Sequence, residues 1–131
     1  MLEFGSANLL KVLVAALTSF PLGGIWYSAL FGKPWAREAD AASRPARSPG
    51  LVYGGMFGLS FVSALTFAFL LPVLRTQSPI LTGCLIGLGF AATSLAANYL
   101  AAGRSLQLWL IDAGFHFFKF LLYGTVFALW P

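Results

Sequence analysis

The side chains most able to do chemistry are Asp112, His116, Lys119 and Tyr123, all within one apolar stretch near the end of the chain. In a helix turning about 100° per residue, the four fall within roughly 60° of one another and form a single stripe. An acid, an imidazole, an amine and a phenol in a row suit proton relay or the binding of a polar or charged solute. A structural alternative is a self-neutralising network, with Asp112 paired to His116 one turn on and Lys119 neutralising the carboxylate. The apolar surroundings favour function. A charge at the centre of a membrane helix costs at least about 2.5–3.5 kcal/mol on insertion scales, so such residues mark pathways and sites.

Those surroundings extend over the whole chain. Of 131 residues, 59% are hydrophobic and 9% charged, against roughly 25% charged in an average soluble domain. Twelve charged side chains, eight basic and four acidic, cannot cover a water-soluble surface of this size. The net charge of +4 does not indicate a nucleic-acid partner. Lys33, Arg37, Arg44 and Arg47 share one connection with Glu38 and Asp40, which reads as a topology signal. The single cysteine, Cys84, allows no intramolecular disulfide and no site of several thiolates.

Four apolar stretches, at about 9–31, 51–74, 80–102 and 106–130, each exceed the roughly 20 residues that cross a hydrocarbon core about 30 Å thick. A spanning segment satisfies its backbone internally, so all four are expected to be helices of an all-α, four-helix membrane bundle in one domain, residues 1–131. The first is too long for the core of a cleaved signal and is expected to be retained. The first and third connections carry five Lys and Arg residues and the opposite side two. The positive-inside rule therefore places the 32–50 loop in the cytoplasm and both termini on the other side. Within that loop, Pro34 and Trp35 suit the first turn of a short interfacial helix.

The stripe needs partners at its own depth. Asn98 in the third stretch and Tyr27 in the first both lie a few residues from the end that faces Asp112, and either can donate to a carboxylate. Pro21, Gly23 and Gly24 predict a break in the first helix, of the kind that exposes backbone groups to solutes. Small residues at four-residue spacing predict helix contacts, Gly83, Gly87 and Ala91 continuing through Ser94 to Asn98, and Gly54 with Gly58. No catalytic motif is present: no H-E-x-x-H, no phosphate-binding glycine loop and no nucleophile turn. No catalytic residue, metal site or cofactor is assigned.

The block Gly24-Ile-Trp-Tyr-Ser-Ala-Leu-Phe-Gly-Lys-Pro-Trp35, followed by Leu110-Ile-Asp-Ala-Gly-Phe-His116, resembles the family catalogued as domain of unknown function 1761. The resemblance runs from the first helix to Tyr123, Gly124 and Trp130. It implies a small bacterial membrane protein of four helices and transfers no activity. Trp26, Tyr27, Phe31, Lys33, Trp35, Asp112 and His116 match its motifs.

These readings converge on a multi-pass protein of the bacterial cytoplasmic membrane, surrounded by lipid and without a nucleic-acid partner. A bundle this narrow fills its own core, so a solute path is expected at a subunit interface, most simply in a homodimer. The leading expectation is a channel or transporter for protons or a small polar solute. The alternatives are a membrane subunit or scaffold that transports nothing, and a binder of haem or quinone.

Overall fold

The computed structural model describes residues 6–75 and 77–130, which form helices and connections with no strand among them. Six α-helices follow in order: α1 (Ser6–Gly24), α2 (Gly32–Glu38), α3 (Pro49–Leu74), α4 (Pro79–Ile86), α5 (Thr93–Ala102) and α6 (Leu106–Leu129). Two π-helical segments interrupt them. Ile25–Leu30 extends α1, and Gly87–Ala92 joins α4 to α5. Four helical stretches are long and apolar enough to cross a membrane: Leu9–Leu30, Pro49–Leu74, Pro79–Ala102 and Leu106–Leu129. Apolar run length located them to within a couple of residues, because backbone satisfaction in hydrocarbon leaves a long run no other structure.

The local sequence explains where three spans begin. Ser48, Ser78 and Ser105 each accept a hydrogen bond on the hydroxyl from the backbone N–H three residues on, at Leu51, Leu81 and Leu108. Pro49 and Pro79 then occupy the first helical turn, where a missing N–H costs nothing. Arg75 and Gly103 end their helices in the left-handed conformation, at φ 51° and 70°. The short α2 does form around Pro34, and Arg37 at its end reaches Gln107 at the start of α6, 3.3 Å away.

α6 is the central element, packed against α1 on one side and against the third span on the other. α3 packs along α1 and touches α6 only lightly. The closest approach is between the third span and α6, and glycine permits it. A Cβ on Gly83 would overlap the Phe120 carbonyl oxygen, and one on Gly87 would lie 2.9 Å from the Phe117 Cα. Gly83 and Gly87 therefore make the contact expected of them. Gly54 and Gly58 do not, since added Cβ atoms there would meet nothing within 4 Å.

That difference defines the shape of the bundle. One end is sealed by Val12, Ala15, Ala16, Ala64, Phe67 and Tyr123, from α1, α3 and α6. Ser60 is the pivot: its hydroxyl lies 3.0 Å from that of Ser19, and its carbonyl accepts from Tyr123 Oη at 3.3 Å. Beyond Ser60, toward the connection with α2, the outer residues of α3 lose their packing, and Leu51, Tyr53, Met56 and Leu59 are 52–71% exposed. The second span splays away there, leaving a cleft over α6.

Candidate functional site: a tyrosine-clasped carboxylate under an intramembrane cavity

The cleft is a cavity of about 760 Å³. Asp112, His116 and Lys119 line it from α6, Ser19, Gly23, Gly24 and Tyr27 from the first span, Val52, Tyr53, Met56, Leu59 and Ser60 from α3, and Leu95 and Tyr99 from α5. Trp35 of α2 contributes at the end nearest the first connection. By helical rise of about 1.5 Å per residue, Asp112 lies roughly 9 Å along the fourth span, His116 about 15 Å and Lys119 about 20 Å. The ionisable groups thus extend from about a quarter of the length of this 24-residue helix to just past its middle.

Asp112 is buried, at 9% exposure. Tyr27 Oη donates to one of its carboxylate oxygens at 2.6 Å. Tyr99 Oη donates to the other. Two phenols from two different spans therefore clasp one carboxylate on a third, using both oxygens of a group that accepts and does not donate when ionised. Aromatic packing holds the first phenol: Tyr27 stands edge-on to Trp35, with centroids 5.6 Å apart, and 5.2 Å from Phe115. Beside it, Trp26 Nε1 donates to the Ile111 carbonyl at 2.8 Å, and its ring covers Gly114, where a Cβ would come within 2.8 Å.

Adjacent residues of a regular helix diverge by about 100°, yet Trp26 and Tyr27 both reach α6. Both lie in the π-helical segment Ile25–Leu30, where the first span departs from α-geometry. The expected break at Pro21, Gly23 and Gly24 is not there. α1 runs through all three as helix, and the irregularity comes immediately afterwards. Thr18 and Ser19 hydroxyls bond the Ala15 and Ala16 carbonyls, at 2.6 and 2.8 Å. Gly23 and Gly24 line the cavity, but packing requires neither glycine: a Cβ on Gly23 would stand 3.5 Å from the Phe115 ring, an ordinary contact, and one on Gly24 would meet nothing within 4 Å.

Asn98 is not a partner of Asp112. It is exposed, and its neighbour Tyr99 takes the place expected for it. The cause is again a π-helical segment. Gly87–Ala92 inserts one residue into the third span, so the inward ridge runs Gly83, Gly87, Ala92, Leu95, Tyr99, and Ser94 and Asn98 turn outward. Trp109 secures the widened turn by donating from Nε1 to the Ala92 carbonyl at 2.8 Å. An extra aromatic donor opposite an apolar run is the only sequence trace this arrangement leaves.

The stripe is not self-neutralising. Among the described residues the one ion pair is Arg37 with Glu38, at 3.6 Å on the surface. Asp112 is held by tyrosines, and neither His116 nor Lys119 pairs with it. Lys119 is 8% exposed. Its ammonium lies 4.7 Å from the Phe120 ring centroid and 5.9 Å from that of Tyr123, with no hydrogen-bonding or ion-pairing partner among the described residues. Tyr123 belongs to the sealed core through Ser60 and does not line the cavity. Of the remaining motif residues, Phe31 packs on Trp26 with centroids 4.8 Å apart, and Lys33 is exposed. No group of three or more metal-ligating side chains occurs among the described residues.

Fold and site together make a helical protein with four helices long and apolar enough to cross a membrane and a clasped acid in its interior. Residues 10–128 match the model of the family described as "Protein of unknown function (DUF1761)", so the chain belongs to that family, as its tryptophan-tyrosine and aspartate-histidine blocks implied. No curated protein matches the chain, and no solved structure does.

Proposed function

We propose that this protein is a small transporter of the bacterial cytoplasmic membrane that binds a polar or charged solute, or protons, over Asp112, His116 and Lys119. The observation that carries the reading is the Asp112 clasp. An acid sunk about 9 Å into a span and bonded by phenols of two other spans is expensive to build. It borders open space instead of being packed over. A group needed only to fix helix register has no use for a cavity.

In this reading the 32–50 connection is cytoplasmic, both termini lie on the other side, and the cavity opens toward the cytoplasm. The splayed half of α3 turns Gly54 and Gly58 to the outside, which supports a homodimer in which a second copy packs there and completes the path. Purified protein reconstituted in liposomes is expected to dissipate an imposed proton or small-solute gradient, and Asp112→Asn to abolish this. Flux unchanged by Asp112→Asn contradicts the reading. Background flux from intact protein, with a stoichiometric partner recovered from native membranes, favours a scaffold instead.

A further inference from the structure

We infer that the ligand of the cavity is a single-chain amphiphilic anion drawn from the bilayer, its acidic head on Lys119 and its chain along the apolar wall. The inference rests on the reading of the cavity as a binding site, and names what it binds.

Lys119 supplies the first argument. Its side chain is more than nine-tenths buried, and its ammonium opens onto the cavity with no acceptor among the described residues. The faces of Phe120 and Tyr123 stabilise a cation, but they leave its N–H donors unbonded. An ammonium that faces the cavity without a protein acceptor keeps its N–H groups for a ligand, and an anionic head there would supply both charge and acceptors. Asp112 does not compete for the position. It stands seven residues away, about 10 Å along the axis, with both oxygens already accepting from tyrosines.

The walls supply the second argument. Phe20, Val52, Met56, Leu59, Leu95 and Phe115 make most of the lining apolar. Met56 and Leu59 line the cavity and are 52% and 71% exposed, so the cavity is open along α3. The cavity wall is thus continuous with the surface that faces lipid, and α3 does not pack against the third span to close it. A ligand reaching Lys119 by this route must be soluble in hydrocarbon along most of its length and acidic at one end. A volume of about 760 Å³ falls within the range of roughly 300–1,000 Å³ usual for one small-molecule ligand.

The test uses the full chain in phosphatidylcholine nanodiscs, with 9,10-dibromostearate as quencher of tryptophan fluorescence, since Trp35 lines the cavity. Saturable quenching is expected, at least about tenfold weaker for the dibromostearate methyl ester, as loss of a charge-assisted contact implies. Lys119→Met should remove the difference between acid and ester, and Lys119→Arg should keep it. Equal affinity for acid and ester in the native protein overturns the inference, whether or not Lys119→Met folds. So does quenching by dibromo-phosphatidylglycerol that stearate fails to displace, which assigns the site to a bilayer phospholipid. Gradient dissipation that survives while carboxylate binding is absent defeats this inference alone. Binding without flux defeats only the transport reading.

Discussion

Asp112 was the residue whose position most demanded partners, and the partners are two phenols. Tyr27 was legible in the sequence because it lies at matching depth in the first span. Tyr99 was not, because a regular helix places Asn98 on the inward face. The two readings separate cleanly by substitution. Tyr99→Phe removes one donor from a buried acid and is expected to cost about 1–2 kcal/mol, while the exposed Asn98→Ala stays within about 0.5 kcal/mol. Unfolding titrations in mixed micelles measure both. A larger loss for Asn98→Ala would restore the regular-helix geometry and remove the clasp.

At the scale of elements, the four spans were readable because a long apolar run in hydrocarbon has a single structural solution. Where each begins also follows from local chemistry, a serine cap in three spans with proline after it in two. The π-helical segments were not readable. One inserted residue changes neither composition nor run length, yet it rotates everything beyond it by about 100°. The same blindness displaced the expected break: proline and glycines drew attention to Pro21–Gly24, while the backbone departs from α-geometry just after them. Deleting Gly89, which is exposed and has no neighbour at its Cβ position, should remove the extra residue and leave a regular helix with Tyr99 still on α6. In a Cys84→Ala background, cysteines replacing Tyr99 and Asp112 should therefore cross-link with and without the deletion, while cysteines replacing Asn98 and Asp112 should fail to do so in both. Efficient cross-linking of the Asn98 pair in the full-length sequence would show that Gly87–Ala92 does not set the face.

For the whole molecule, the apolar excess foretold the membrane, but the uneven packing needed the structure. Gly54, Gly58, Gly83 and Gly87 look equivalent as small residues at four-residue spacing. Only the latter pair meets another helix, because α6 takes its neighbours from the first and third spans and leaves the second half detached. Gly83→Ala is accordingly expected to destabilise by about 1–3 kcal/mol through forced separation of α4 and α6, and Gly54→Ala to leave monomer stability unaltered. Equal losses would mean that α3 is not splayed. The cavity beside Lys119 follows from that splay, since a closed bundle would have no room beside α6, while the clasp is built by the first, third and fourth spans alone. The clasp itself is most directly read by infrared spectroscopy, in difference spectra that isolate the Asp112 carboxyl band by subtracting Asp112→Asn. The expected result is a carboxylate band displaced from the water-exposed position that shifts in both Tyr27→Phe and Tyr99→Phe. A band at the position of a water-exposed carboxylate, unmoved by either substitution, would contradict a tyrosine-held acid within the membrane.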